Sequence, residues 1–201
     1  MPTQELLVDY ILSLDGCAAA EGWPGWWGLQ STEYLEWLAS EPERIQLMGA
    51  RTYRLMSQMA REAREIDISA EEKASFEQMA QVEKIVFSST LEAPLDWPNS
   101  RLISTDAIEA VRELKQTADR PLTTTGSISL AHSLLREGLV DRFRVVLFPV
   151  ITGRTGLERI WESYEDYALE LVSSRAFEGG LQLLEYVPAH LSAPPGTAWV
   201  R

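Results

Sequence analysis

Cysteine and histidine are almost absent from this chain of 201 residues. Cys17 is the single cysteine, which excludes an intrachain disulfide and a zinc cluster built from cysteines. A lone thiol is typical of a reducing compartment, so we expect a cytoplasmic protein. The two histidines, His132 and His190, lie on a predicted helix and near the C-terminus, respectively. This pattern argues against a histidine-based hydrolase, and we expect no metal site.

Positive charge is also scarce. Eighteen Lys and Arg stand against thirty Asp and Glu, and the net charge is -12. Nucleic acids and anionic membranes are bound by clustered basic side chains, so we expect neither as a partner. An anionic ligand must therefore be held by local groups, such as backbone N–H donors at a helix start.

Long apolar runs are missing as well. Residues 6–14 are apolar but include Asp9 and lack a basic flank, so the pattern favours a first strand over a signal peptide. No stretch is long enough to cross a bilayer as a helix. With 45% hydrophobic residues, the sequence predicts one α/β domain over residues 1–188 and a Pro-rich tail over residues 189–201.

The central pattern is a strand, a turn, a helix and a second strand between Arg120 and Gly153. Gly126 and Ser127 stand where the strand passes into the helix, so free N–H groups of the first helical turn point above the sheet. That position suits a phosphate.

Other elements follow from periodicity, caps and turn residues. We expect helices after Ser31, after Gly49 and after Asp106, which with Glu109 resembles a capping box. The charged stretch of residues 61–81 predicts one short helix near Phe76 and Met79. Further strands are predicted at residues 5–13, 44–48, 84–87, 101–103 and 143–148, with an antiparallel hairpin at residues 164–172 and 180–187.

Residues 18–28 form a predicted loop that contains Trp23, Trp26 and Trp27. Three indoles beside glycines and a proline favour either a lid over a flat ligand or a hydrophobic plug over the core. The sequence leaves both interpretations open.

Three predicted strand-end loops carry small or hydroxyl residues: residues 49–52, 88–90 and 124–127. Ligands of open α/β sheets bind outside the carboxyl ends of the strands. Together the loops favour an extended phosphate-bearing cofactor, above all a dinucleotide. The G-x-G-x-x-G fingerprint is absent, which disfavours a standard Rossmann site.

Several short motifs follow one another in a fixed order along the chain. They are Ser13-Leu14-Asp15-Gly16, Met48-Gly49-x-Arg51-Thr52-Tyr53, Ser88-x-Thr90-Leu91, Gly126-Ser127, Gly138-Leu139-Val140-Asp141 and Pro149-Val150-x-x-Gly153. Together they resemble the dihydrofolate-reductase-like family, which includes the reductase domain of the bacterial riboflavin-biosynthesis deaminase-reductase. The likeness covers roughly residues 5–187. It implies a mixed, mostly parallel central sheet flanked by helices, with a C-terminal antiparallel hairpin, bound NADPH, and hydride transfer to a pteridine- or pyrimidine-like ring.

The resemblance also implies a set of cofactor-binding residues. Ser89 stands where many members carry Arg or Lys for the ribose 2′-phosphate, so Arg51 is the nearest candidate for that charge. The phosphate turn has one glycine where dihydrofolate reductases usually have two, which affects how closely the backbone can approach. The implied residues are Gly49, Arg51, Thr52, Ser88, Ser89, Thr90, Thr125, Gly126, Ser127 and Ile128.

Counting back from Met48-Gly49, the resemblance places the family's catalytic acid at Glu33, with Glu36 in reserve. Asp15, in the matching Ser13–Gly16 stretch, is the second catalytic candidate. Trp27 and Trp37 are expected to contact substrate with Glu33, and burial beside them would raise the pKa of Glu33. A simply solvated acid at a helix start is the alternative.

The resemblance thus implies an NADPH-dependent reductase of the riboflavin-biosynthesis type, acting on 5-amino-6-(5-phosphoribosylamino)uracil or a related heterocycle. Dihydrofolate reduction is the alternative within this class, and a non-catalytic nucleotide-binding protein is the alternative outside it. Alternating Phe143, Val145 and Leu147 favour a homodimer, although the same side chains could fill the core of a monomer.

Overall fold

The computed structural model describes residues 3–23, 25–63, 65, 70–162 and 164–192. Short 3-10 helices occur at Trp27–Leu29 and Glu178–Gly180. The α-helices are α1 Thr32–Ser40, α2 Ala50–Glu62, α3 Ala70–Gln81, α4 Ala107–Thr117 and α5 Ile128–Arg136. The strands are β1 Leu6–Ser13, β2 Cys17–Ala20, β3 Ile45–Gly49, β4 Lys84–Phe87, β5 Ser100–Ile103, β6 Leu122–Thr124, β7 Arg142–Phe148, β8 Gly156–Arg159, β9 Tyr167–Ala176 and β10 Gln182–His190.

Eight of these strands form a mixed, mostly parallel sheet whose C-terminal strands are antiparallel, which confirms the predicted α/β fold class and the hairpin. By its internal contacts the chain divides into two compact units. The first unit comprises Met1–Leu6 and Pro42–Ala131, and the second comprises Leu7–Glu41 and His132–Arg201.

The first unit contains the parallel strands β5, β4, β3 and β6 in that order. Leu47, Met48, Ile85 and Val86 are fully buried, as expected for parallel strands covered on both faces. Because the strands run in the same direction, their carboxyl ends share one edge. The loops that follow β3, β4 and β6 therefore lie along this edge.

Helices α2 and α4 of the first unit begin where the sequence predicts, after Gly49 and after Asp106. The Asp106 carboxylate accepts the N–H groups of Ile108 and Glu109 and so caps α4. The short helix predicted near Phe76 and Met79 is α3. Buried Lys84 donates to the carbonyl oxygens of Met79 and Val82, at 2.7 and 2.5 Å, and so caps the C-terminal end of α3.

The second unit contains β1, β7, β10 and β9 in that order. Strand β1 pairs with β7 in parallel, and β10 joins β7 and β9 in antiparallel register. Its core includes an aromatic cluster, which we define as Tyr34, Trp37, Phe148 and Phe177. Tyr34 meets Phe148 and Phe177 edge to face, with ring centroids 6.3 and 5.4 Å apart.

Sequence analysis did not predict the second small sheet, in which β2 pairs with β8 in antiparallel register. Residues of β2 were predicted to be loop because three alanines show no alternation of apolar and polar side chains. Cys17 is buried as a free thiol in this pair. Gly156 lets the two strands approach, since a Cβ there would lie 2.5 Å from Cys17 Sγ.

Two details differ from the expectations. Phe143 and Val145 are 3 and 4% exposed in the second unit, so the monomer core accounts for both and they do not mark a pairing surface. Ala189 and His190 belong to β10 and not to a tail, and residues 193–201 lie outside the described residues. No helix in the described part of the chain is long and apolar enough to span a bilayer.

Candidate active site

A hydroxyl group joins two strand-end loops of the first unit. The N–H of Gly49 donates to Ser127 Oγ at 2.6 Å, and Thr52 Oγ1 lies 3.3 Å from the same oxygen. Gly49 is the N-cap of α2 and provides no side chain to accept the first N–H groups of the helix. The start of α2 therefore presents backbone donors beside two hydroxyl groups, a favourable setting for an anion. We call Gly49, Thr52, Gly126 and Ser127 the phosphate cradle.

The two loops of the cradle can approach each other closely because Gly49 and Gly126 have no side chains. A Cβ at Gly126 would lie 3.0 Å from Thr52 Oγ1, and a Cβ at Gly49 would lie 2.7 Å from Ser127 Oγ. Gly126 and Ser127 both adopt left-handed backbone, with φ of +57° and +60°. Ser127 thus takes the conformation for which a second glycine was expected.

A hydroxyl-rich turn follows the neighbouring strand β4. Ser88 Oγ accepts the N–H groups of Thr90 and Leu91 at 3.0 and 3.1 Å, which fixes the turn. Arg54 of α2 donates from Nη2 to Thr90 Oγ1 at 3.3 Å. Ser89 at the tip is exposed. We call residues 88–91 the β4 turn.

The structure brings the predicted cofactor residues of the first unit to one sheet edge. Arg51 is exposed in the first turn of α2, and Ile128 begins α5. The Thr125 N–H donates to the carbonyl oxygen of Leu47 and holds the phosphate cradle to β3. Backbone N–H groups, hydroxyls and arginines are the ligands that phosphates take in proteins, so this donor set fits a phosphate-bearing cofactor.

In the second unit, Glu33 is engaged by two donors. Its Oε1 accepts Arg175 Nη2 and its Oε2 accepts the Glu178 N–H, both at 2.9 Å. The hydrogen bond from Arg175, with that from Glu178, lowers the pKa of Glu33. The expectation of a raised pKa is therefore wrong, because an arginine and a backbone donor surround the carboxylate where aromatic burial was expected.

Asp15 is likewise held as a carboxylate. It accepts the N–H groups of Thr152 and Gly153, at 3.1 and 2.8 Å. Hydrogen bonds from Ser13 and from these donors keep the pKa of Asp15 far below its ordinary value. An acid in this state accepts hydrogen bonds at neutral pH and is a poor proton donor, which does not suit a general acid. Its clear role is to hold the turn at residues 152–153.

The tryptophans have different surroundings. Trp26 is 1% exposed and donates from Nε1 to the carbonyl oxygen of Cys17 at 3.0 Å, so it acts as a plug. Trp23 is 52% exposed. Trp37 packs in the aromatic cluster against Tyr34, and the Arg144 guanidinium lies 5.0 Å from its ring centroid. Trp27 begins a 3-10 helix, and its side chain lies outside the described residues.

Sequence analysis missed Arg54, Arg175 and Arg144. Arg54 could have been found, because it follows Arg51 by three residues and so shares its helix flank. No local signal marks Arg175, whose partner Glu33 is 142 residues away in sequence. Among the described residues no group of three His, Cys, Asp or Glu side chains could hold a metal ion.

Solved structures share this fold. A putative riboflavin biosynthesis protein from Shewanella sp. PV-4 superimposes with a TM-score of 0.67 at 17% identity, covering 92% of this chain and 99% of that one. A pyrimidine reductase-like protein from Corynebacterium diphtheriae gives 0.62 at 15% identity, covering 93% and 92%. A diaminohydroxyphosphoribosylaminopyrimidine deaminase/5-amino-6-(5-phosphoribosylamino)uracil reductase from Thermotoga maritima gives 0.63 at 16% identity, covering 93% and 57%.

One curated relative is the uncharacterized protein YyaP of Bacillus subtilis (strain 168), 29% identical over 103 residues. The match covers 51% of this chain and 53% of that protein, so the chain spans about half the length of this relative. The family described as the RibD C-terminal domain matches residues 4–183, which is most of the sequence. The chain therefore belongs to the RibD C-terminal domain family.

Proposed function

We propose that this protein is an NADPH-dependent reductase that transfers hydride to a pyrimidine- or pterin-like ring. The observation that carries the proposal is the phosphate cradle, in which Ser127 joins two strand-end loops beside the uncapped start of α2. Membership in the RibD C-terminal domain family supports a reductase over other nucleotide-binding functions.

The cofactor's phosphates would be held by the phosphate cradle and Arg51, and its adenosine side by the β4 turn. NADPH supplies the hydride when bound, so the chain needs to position the two rings and exclude competing reactions. The N–H groups of α2 and the Thr52 and Ser127 hydroxyls neutralise phosphate charge locally in a protein whose net charge is -12. These residues do no covalent chemistry.

Proton delivery in this proposal comes from water. Glu33 and Asp15 both have a lowered pKa, because each carboxylate accepts hydrogen bonds in the folded chain. Glu33 remains suited to accept hydrogen bonds from the amino edge of a heterocycle, since each carboxylate oxygen has a second lone pair. We propose this acceptor role for Glu33, with Trp27 and Trp37 as further candidates for substrate contact.

Two substrate classes follow from different observations. The names of the relatives favour the pyrimidine 5-amino-6-(5-phosphoribosylamino)uracil as first candidate. An ionised Glu33 on α1 favours a ring with an amidine edge, such as the pterin of dihydrofolate, as the second. A nucleotide-binding protein without turnover is the remaining alternative.

The test combines binding and turnover. Calorimetry with NADPH is expected to show binding that Thr52→Val weakens, since Thr52 belongs to the phosphate cradle, whereas Arg61→Gln, on the same helix but paired with Asp96, leaves it unchanged. NADPH oxidation is then followed with the ribosylated pyrimidine phosphate and with dihydrofolate. Binding without oxidation of either would favour the non-catalytic alternative, and no binding would end the proposal.

A further inference from the structure

Arg54 lies on α2 three residues after Arg51, and its guanidinium reaches the β4 turn. Its Nη2 donates a hydrogen bond to a neutral hydroxyl, Thr90 Oγ1, at 3.3 Å. Arg61 on the same helix instead lies 3.7 Å from the Asp96 carboxylate. Arg54 thus brings positive charge to a hydroxyl-rich turn, and its described hydrogen bond leaves that charge uncompensated.

The position of the β4 turn relative to the phosphate cradle follows from strand register. Gly49 at the end of β3 pairs with Phe87 at the end of β4 in parallel. Neighbouring strands lie about 5 Å apart, so the β4 turn begins one strand away from the cradle. A dinucleotide bound along the carboxyl edge with its phosphates on the cradle can therefore place a ribose at the β4 turn.

Both partners of the Arg54–Thr90 contact are held in place by other hydrogen bonds. Thr90 is fixed by the Ser88 hydroxyl, and Tyr53 Oη, next to Arg54 in sequence, accepts the Trp97 N–H at 3.1 Å. Tyr53 and Trp97 are buried, so this second contact anchors the start of α2. Preorganisation of this kind reduces the entropy lost when the arginine engages a ligand.

We infer that Arg54 binds the ribose 2′-phosphate of the cofactor and sets the preference for NADPH over NADH. The inference rests on the proposed function. It names Arg54 as the source of the positive charge that Ser89 does not provide. A guanidinium can hold a phosphate with two parallel hydrogen bonds, and the Thr90 hydroxyl can donate a third. NADH has only a hydroxyl at the 2′ position, so it cannot form these charge-assisted contacts. Arg51, in the first helical turn, then serves phosphates that both cofactors share.

Calorimetry with adenosine 2′,5′-bisphosphate and 5′-AMP tests this assignment without turnover. The wild-type protein is expected to prefer the 2′-phosphorylated nucleotide by roughly ten- to a hundredfold, the range of a charge-assisted contact. Arg54→Gln should abolish the preference while leaving 5′-AMP affinity unchanged. Arg54→Lys should retain part of the preference, because lysine keeps the positive charge but loses the two-pronged geometry of the guanidinium.

Two arginines of the same helix serve as matched controls. Arg51→Gln should weaken both nucleotides by the same factor, and Arg61→Gln should change neither. Retention of the wild-type preference by Arg54→Gln, or loss of it in Arg51→Gln alone, overturns the inference. Equal wild-type affinity for the two nucleotides also overturns it but leaves the proposed function standing. If neither nucleotide binds, the proposed function fails and the inference fails with it.

Discussion

The hydroxyl oxygen of Ser127 accepts the backbone N–H of Gly49 at 2.6 Å, although 78 residues separate them in sequence. Each residue stands where a parallel strand gives way to a helix, so one hydrogen bond sets the spacing of two helix starts. A phosphate bound there would meet donors from both loops without further rearrangement. This bond therefore links the fold to the proposed cofactor site.

Gly126→Ala should impair NADPH binding. The φ of Gly126 is +57°, and a Cβ would press on Thr52 Oγ1 at 3.0 Å. The left-handed backbone costs an alanine about 1–2 kcal/mol of folding free energy, and displacement of Thr52 reshapes the phosphate cradle. We expect NADPH affinity to fall roughly tenfold, equivalent to about 1.4 kcal/mol, as measured by calorimetry.

Gly138→Ala is the matched control. Its φ is +63° with no atom within 4 Å of the added Cβ, so it carries the backbone cost without the clash. Urea unfolding should show a stability loss of about 1–2 kcal/mol in both variants, with wild-type NADPH affinity in Gly138→Ala. Equal affinity losses would mean that general destabilisation, and not the cradle, explains the first result.

The sequence predicts that the residues of the phosphate cradle share one sheet edge, because the signals for this placement are local. Gly126 follows an apolar strand and precedes a helical pattern, and parallel strands bring their carboxyl ends to one edge whatever the details of packing. The direct contact between Ser127 and Gly49 could not be predicted, because it depends on the positive φ of Ser127. A non-glycine residue in that conformation has no sequence signature.

Glu33→Gln should reduce the loss of folding stability at acidic pH. Arg175 and the Glu178 N–H lower the folded-state pKa of Glu33, so its stabilising effect is complete above the unfolded pKa of about 4.3. The effect is lost as the pH falls through the folded pKa. Urea unfolding below about pH 4.3 should therefore show a shallower decline in Glu33→Gln than in the wild type, whereas exposed Glu36→Gln should match the wild type.

Glu33→Gln should also raise KM for the heterocyclic substrate by the same factor between about pH 5 and 8, because Glu33 stays ionised over that range. Steady-state kinetics at several pH values would check this, again with Glu36→Gln as control. Wild-type kcat/KM throughout would remove Glu33 from the substrate site.

Sequence reasoning failed where the deciding partner is distant. The pKa of Glu33 depends on Arg175, which lies on β9 and pairs with α1 only after the fold forms. The surroundings of Trp37 were also not predictable, because Phe177 and Arg144, which lie against its ring, are distant in sequence. Strand β2 was missed because short alanine-rich segments gain strand structure from a partner, here β8, and not from their own pattern.

Arg144→Leu should destabilise the protein strongly. The Arg144 side chain is 5% exposed and donates to Asp9 at 2.6 Å and to Glu41 at 2.7 Å. Its removal leaves two partly buried carboxylates without their cation, which costs about 3 kcal/mol or more in such networks. Arg136→Leu, on α5, loses an exposed pair with Glu165 at 3.1 Å and should cost less than about 1 kcal/mol. Similar urea midpoints for the two variants would contradict a structural role for the Arg144 network.

Homodimer formation is expected to use β9. This strand of ten residues lies at the edge of the sheet, and Leu169, Leu171 and Val172 are 43, 55 and 45% exposed. A long apolar edge strand is a template for pairing, and the same edge of a second copy can pair with it by two-fold symmetry.

Light scattering should give roughly twice the 22.6 kDa monomer mass, and Leu171→Lys should return the monomer. Leu157→Lys on β8, where the side chain is 47% exposed, should stay dimeric. A wild-type monomer at high micromolar concentration, or dissociation by Leu157→Lys alone, would show that β9 is not a dimer interface.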